Sequence, residues 1–281
     1  EDLEGSPFSG AYLITNTSGG SSTNASIKLE RPYRDGLYGY VAYTWGDSEV
    51  ITEGTSSRAV SNWQYNEAYD VNSPGASVSD FQVEHRFSAS VSYELNRDTD
   101  WSTTLSLYYT HQSGRPITLL VGTPWGNPSY NGEFFYGNDL LYVPGSESEV
   151  ELIGGTWDDF VAFLDAVGME DQMGQVATRN EGEQPWSHTL DLHISQAIPV
   201  GYGNLELTFD VLNLANLFDD DAGRVRYVSY GTLTPVDYDG INEDGQAVYI
   251  LDDIVTERED IWTVDNLRSR WRAKVGVRYN F

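Results

Sequence analysis

Two acidic stretches hold the oxygen atoms best suited to metal chemistry. One is the run Asp219-Asp220-Asp221. The other is Asp237-Tyr238-Asp239-Gly240-Ile241-Asn242-Glu243-Asp244-Gly245. Hard cations such as Ca²⁺ take carboxylate and carbonyl oxygens, so Asp237, Asp239 and Asp244 are the calcium candidates. The second stretch lacks the spacing and terminal Glu of an EF-hand loop, and a solvated acidic loop is the plain alternative. The histidines are His85, His111, His188 and His193. They form no HExxH pattern, and no two share a ligand spacing. No GxSxG, P-loop or GxGxxG context occurs. The chain has no Cys, which excludes disulfides and thiolate metal sites. With no nucleophile–base pair to name, the expectation is that the chain is not an enzyme and needs no cofactor beyond that candidate calcium.

A different kind of chemistry is written into the last residues, Ser269 to Phe281. Trp271, Ala273, Val275, Val277, Tyr279 and Phe281 form one alternating set; Arg270, Arg272, Lys274, Gly276, Arg278 and Asn280 form the other. A strand sends alternate side chains to opposite faces. One face is then apolar with aromatic ends, and the other is cationic. Rings at both ends of an apolar strand suit a bilayer crossing, where they sit at the two interfaces. The cationic set then faces an aqueous lumen. There it can pair with Glu206 and Asp210 if the strand that carries them is the neighbour. On the lipid face such charges near the midplane each cost roughly 2–4 kcal/mol.

The elements that must position these groups are other alternating segments. A weak strand is expected over 10–17, then a polar loop over Ser18 to Asn24. Further strands are expected over 25–33, 37–46, 81–95, 101–112, 187–200 and 205–216, giving about eight crossings with the last. Short turns lie at 34–36, 96–100 and 201–204, and Arg34-Asp35-Gly36 is a hairpin signal. Long connections occupy 47–80, 113–186 and 217–267. Counted back from Phe281, every short turn falls on one side. Outer-membrane barrels have this asymmetry, with brief periplasmic turns and extended outer loops. One short loop helix is expected after Thr156. Thr156 is its N-cap, Asp159 completes a capping box, and Phe160, Val161, Phe163, Leu164 and Val167 form its apolar stripe. Gly168 stops it. The third long segment is expected to hold a hairpin with arms near 224–233 and 246–254.

Composition agrees. The 281 residues carry a net charge of −27, which repels nucleic acid and anionic lipid. Tyr 19, Trp 8 and Gly 27 suit strands and turns. Mean hydropathy is −0.42, and no apolar run reaches the ~18 residues of a membrane helix. A barrel needs only about 9–11 alternating residues per crossing. The opening Glu1-Asp2-Leu3-Glu4-Gly5 is no signal peptide, so the chain is expected to be processed or a piece of a longer one.

Several stretches resemble a known family. They are Ala25-Ser26-Ile27-Lys28-Leu29-Glu30 with Gly36 to Asp47, Thr55-Ser56-Ser57 through Ser61-Asn62-Trp63, and Gly137-Asn138-Asp139-Leu140-Leu141-Tyr142-Val143-Pro144. Arg179-Asn180 with Pro185-Trp186, Asp210 to Phe218, and Asn266 to Trp271 complete the set. In order and spacing they are similar to the C-terminal part of a TonB-dependent receptor of the Oar-like group, whose N-terminus carries a carboxypeptidase-regulatory-like domain. The resemblance implies an all-β transmembrane antiparallel barrel of about 22 strands around a plug, driven by the TonB complex through that plug. Residues 1–281 would then be the C-terminal part of the barrel, with the plug domain absent. Remaining strands and plug are expected on the same or a companion polypeptide. Lipid and lipopolysaccharide are the surrounding partners, and the outer membrane of a Gram-negative bacterium is the location. Tyr279 and Phe281 resemble the C-terminal assembly signal of such barrels. The function implied is energised uptake, with substrate bound between plug and outer loops. The alternative is a structural or adhesive surface protein whose acidic, aromatic loops form a binding platform. Trp63, Tyr65, Tyr69, Trp125, Tyr130 and Tyr136 are the loop rings available for stacking.

Overall fold

The computed structural model describes residues 11–123 and 137–281. Its strands in chain order are β1 (Ser21–Arg34), β2 (Leu37–Val50), β3 (Ser77–Val78), β4 (His85–Leu95), β5 (Thr103–Gln112) and β6 (Pro116–Gly122). Then come β7 (Tyr142–Val143), β8 (Val150–Ile153), β9 (Gln175–Val176), β10 (Gly182–Glu183), β11 (Ser187–Val200) and β12 (Gly203–Leu212). The last are β13 (Arg226–Tyr227), β14 (Thr232–Ile241), β15 (Ala247–Leu251), β16 (Thr263–Val264) and β17 (Arg272–Asn280).

Seven of these build one long antiparallel sheet, in the order β1-β2-β4-β5-β11-β12-β17, with β3 attached to β2. Neighbours in the sheet are neighbours in the chain apart from the excursions between them. The tightest link is Asp35-Gly36, with φ of 56° and 79°. Two left-handed residues make the primed turn whose twist matches the flanking strands. A Cβ on Gly36 would stand 2.7 Å from the Glu94 carbonyl oxygen, so glycine is required there on two counts.

The register brings every apolar set onto one face. Leu29 faces Val41, Val41 faces Ala89, Ala89 faces Tyr109, and Tyr109 faces Leu190. Leu107 faces Leu192, Leu192 faces Val211, and Val211 faces Ala273. Among the described residues most of this face is uncovered: Leu29 is 74% exposed, Leu107 38% and Val275 73%, while Val211, at the loop end, is buried. The opposite face pairs Ser92 with Ser106, Ser195 with Thr208 and Glu206 with Arg278. The sheet is open among the described residues, since β1 and β17 are each paired on one side only.

The hydrophobic core lies elsewhere. Helix α1 (Ala59–Gln64) lies in the first long connection. A second sheet, in the order β10-β6-β14-β15-β8, packs with helix α2 (Trp157–Val167). Ile117, Leu119, Phe160, Phe163, Leu164, Val236 and Val255 are completely buried in it. Here β14 runs parallel to β6, and β15 parallel to β8. Strands buried on both faces read as near-continuous apolar runs, and Ile117-Thr118-Leu119-Leu120-Val121, with Thr118 its one polar residue, is such a run, buried throughout. Helix α2 starts as its sequence predicts. Thr156 accepts from the Asp159 N–H, and the Asp159 carboxylate accepts from the Thr156 N–H. It ends at Gly168, with φ of 71°.

Several expectations need correction. No strand occupies 11–17, the described part of the weak strand expected over 10–17. The long strands therefore number seven, not about eight. β1 instead begins at Ser21, inside the expected polar loop, because Ser21, Ser22 and Thr23 pair with Glu49, Ser48 and Asp47 through backbone alone. The strand expected to reach residue 216 stops at Leu212, where Asn213 turns the chain with φ of 54°. The hairpin in the third segment is β14–β15, so its first arm is displaced towards the C-terminus from 224–233. The second segment, expected to be a loop with one helix, supplies half of a packed domain.

Candidate binding surface at the loop end

All three long connections leave the same end of the long sheet, because antiparallel strands with short turns at one end leave the others at the opposite end. The second and third connections share the packed domain, through the β6–β14 and β8–β15 pairs. The first is clamped to it by Arg179, which is 6% exposed. This guanidinium donates to the carbonyls of Val50 at 2.8 Å and Ile51 at 3.0 Å, and to the side chains of Asn66 and Ser77. Next to it Asn180, in the left-handed region at φ 63°, donates to the Val78 carbonyl and to Asp80. Burial pushes the Glu67 carboxyl above its ordinary range, and Glu183 likewise. The Gly145 N–H and the Tyr142 hydroxyl hold Glu149 below that range.

Clefts open in this region. One of about 980 Å³ is lined by Tyr12, Ile51, Trp63 and Val71, and the Tyr12 and Trp63 rings lie 5.1 Å apart. Another, about 620 Å³, lies between Phe81, Arg115, Tyr227 and Tyr230. Among the candidate stacking rings, Tyr65 and Tyr69 are exposed, while Trp125, Tyr130 and Tyr136 lie outside the described residues.

The charged residues singled out in the sequence sit on the polar face of the long sheet. β12 is indeed the neighbour of β17. Glu206 pairs with Arg278 at 3.4 Å. Asp210 stands in register with Lys274 but is hydrogen-bonded to His193 Nδ1. Arg272 lies opposite Leu212. Arg270 precedes the strand, beside the cleft formed by Asn216, Arg224 and Trp271. Tyr279 is on the apolar face opposite Leu205, and Phe281 lies just past the strand, fully exposed, with the two rings 6.0 Å apart.

The calcium candidates fall on two different elements. Asp237 and Asp239 lie within strand β14, and Asp244 in the turn after it. Among the described residues no group of three or more His, Cys, Asp or Glu is arranged to hold a metal ion. The acidic spacing reads as a loop because one face of β14 is carboxylate-rich. Pairing with β15 and β6 makes it a strand instead.

Cross-strand register assembles what linear spacing hides. His111 and His188 are register partners, and Trp186 stacks near His111 at 5.0 Å and His85 at 5.7 Å. Tyr43 shares a 2.8 Å hydrogen bond with His85 Nδ1. Three histidines thus gather with Trp and Tyr rings at the loop end of the apolar face. Arg179, Asn213 and Asn216 carry roles that residue type alone did not reveal. Asn213 donates to the carbonyls of Gly223 and Ser269, and Asn216 to those of Asp220 and Ala222. Together they fasten the start of the third connection to the approach of β17. The signal was the Asn-Leu-Ala-Asn stretch after an alternating strand, since Asn tolerates the left-handed turn.

Among the described residues no helix is long and apolar enough to cross a membrane, which leaves crossing by strands open. A family model described as an outer membrane beta barrel domain matches residues 4–229. No curated protein and no solved structure is matched. With an uncovered apolar face on a regular antiparallel sheet and a family match over most of its length, the chain belongs to the outer membrane β-barrel domain family and resides in the outer membrane of Gram-negative bacteria.

Proposed function

We propose that the chain is the C-terminal part of the barrel of a TonB-dependent importer of the Oar-like group. One observation carries the reading: an apolar face held in register across seven strands that ends, among the described residues, at two unpaired edges, β1 and β17. In hydrocarbon each unpaired N–H or C=O costs several kcal/mol. The edges therefore need further strands, which in a barrel of about 22 would surround a plug. Those strands and the plug are carried on the same or a companion polypeptide. The apolar face meets lipid and, at the loop end, lipopolysaccharide. The polar face, with Arg272, Lys274, Arg278, Glu206 and Asp210, lines the lumen, and Tyr279 and Phe281 serve as the assembly signal. Substrate meets the outer domain first, and energised displacement of the plug admits it without covalent chemistry.

The test is extraction of the native assembly from outer membranes in mild detergent through a tag on this chain, with cross-linking to TonB and denaturing electrophoresis. The expected result is a plug-bearing segment, on this polypeptide or a second one, that cross-links to TonB. An assembly with no such segment overturns the importer reading. The outer domain, with its own core, would then favour the second reading, a surface adhesin.

A further inference from the structure

We infer that the cleft of about 620 Å³ at the loop end is a binding site for a ligand that carries an oxyanion beside a flat ring face. The chain has only 16 Lys and Arg against 43 Asp and Glu, yet Arg115, Arg226 and Arg268 all line this one cleft. Among the described residues Arg115 and Arg226 form no ion pair. Arg115 lies over the Phe81 ring, 6.0 Å from its centre. The acids of the cleft are already committed. Asp80 accepts from Asn180 at 2.6 Å. Asp265 accepts from the N–H groups of Leu267 and Arg268 and pairs with the Arg268 guanidinium at 3.3 Å. Two guanidinium forks on the cleft, that of the exposed Arg115 and that of the half-buried Arg226, are left without a carboxylate partner among the described residues, and a planar fork matches a carboxylate or phosphate in bidentate fashion.

The aromatic side is equally specific. Tyr230 is 98% exposed, so its ring packs on nothing among the described residues. It also holds φ of 58°, in the left-handed region that a bulky residue seldom adopts. Gly231 follows at φ 72°. A glycine at 230 would satisfy the same turn without strain, so the ring is presented at a cost. Tyr227, 38% exposed, stands on the same cleft. Rings with an apolar body and a polar tip suit a flat, partly hydrated ligand face. The cleft also reaches Gln112 and Ser187, register partners on the polar face of the long sheet. A ligand held here is thus poised over the polar side. The part this plays in uptake rests on the importer reading; the binding itself does not.

The experiment reads binding alone. Calorimetry on the detergent-solubilised native assembly would use trigalacturonate and 2,3-dihydroxybenzoate as anionic ring probes, with maltotriose as the neutral control. At least one anionic probe saturates, and its affinity falls as NaCl rises from about 50 to 500 mM, where screening is stronger. Arg115→Gln and Arg226→Gln each weaken it roughly tenfold. Tyr230→Gly also weakens it while leaving the melting temperature unchanged or higher, which separates lost binding from lost folding. Saturation by trigalacturonate alone assigns an acidic glycan, and by dihydroxybenzoate alone an aromatic carboxylate. Failure of both to saturate, equal binding of maltotriose, or salt-independent binding overturns the site. None of these results bears on whether a plug is present.

Discussion

Val275 and Val277 in the long sheet are 73% and 67% exposed, whereas Val236 and Val255 in the outer domain are completely buried. The residue type is the same, and the partner differs. In the sheet, alternation leaves one apolar face that is largely uncovered among the described residues, and hydrocarbon is its solvent. In the outer domain β6, parallel to β14 and antiparallel to β10, abandons alternation and is buried along its length, as strands covered on both faces are. The sheet is held by a regular backbone ladder between chain neighbours. The domain is held by burial of residues far apart in the chain, such as Leu119 against Leu233. The comparison teaches that the two parts answer to different forces and should fail separately.

The largest expected break is in the domain. Phe160 on α2 is completely buried, and Phe160→Ala should cost about 3–5 kcal/mol through lost burial and the cavity left behind. Limited proteolysis of whole cells should then cut within the outer domain. The strands in the membrane should stay protected and heat-modifiable on gels. Joint collapse of both parts would contradict separate failure.

The converse break is Val275→Arg. A cation on the lipid face near the midplane should cost roughly 2–4 kcal/mol, read as a lower urea midpoint for barrel unfolding in lipid vesicles. The outer domain should keep its protease resistance. Lys274→Ala, one residue away on the polar face, should shift that midpoint much less. Equal effects at 274 and 275 would remove the distinction between the faces.

The join between the parts is sharpened by Arg179→Gln. The guanidinium satisfies the carbonyls of Val50 and Ile51 and the side chain of Asn66 in a buried setting. Leaving such acceptors without donors should cost about 1–3 kcal/mol. The expected outcome is new cleavage between residues 51 and 80, with the domain core and the sheet both intact.

The sheet was legible because lipid imposes alternation on each strand separately. Leu205-Leu207-Phe209-Val211 and Val275-Val277-Tyr279 display it without knowledge of their neighbours, and the Glu206–Arg278 pair followed once β12 and β17 were taken as adjacent. Helix α2 was legible because its cap and stop are local. The domain was not, because its strands are short and paired over long separations. β14 carries Asp237 and Asp239 on a solvated face, so pattern alone makes it a loop and a calcium candidate. β1 extends past the expected start because polar residues above the membrane pair through backbone, which hydrophobic periodicity cannot register. Of the candidate binding surface, the exposed rings could be named from sequence. The free pair Arg115 and Arg226 could not, since they stand 111 positions apart in the chain and only the packed domain brings them to one cleft.

The smallest expected effect tests the domain's own local logic. The Thr156 hydroxyl donates to the Asp159 carboxylate at 2.6 Å and accepts from the Asp159 N–H at 3.2 Å. Thr156→Ala should cost about 1 kcal/mol of domain stability. Its pH dependence has a definite sign. Hydrogen bonds from the Thr156 hydroxyl, then from its N–H, hold Asp159 below its ordinary value. A depressed carboxyl contributes stability that is present above its unfolded pKa and lost as pH falls through the folded one. The gap in melting temperature between wild type and Thr156→Ala should therefore be full at neutral pH and narrow on acidification below the ordinary carboxylate range. Glu67 and Glu183 are raised by burial and act the other way, gaining stability as pH falls from neutral. Because both chains share those two, the difference between them isolates the cap. A gap that widens on acidification would show that the hydroxyl stabilises α2 by some means other than the Asp159 carboxylate.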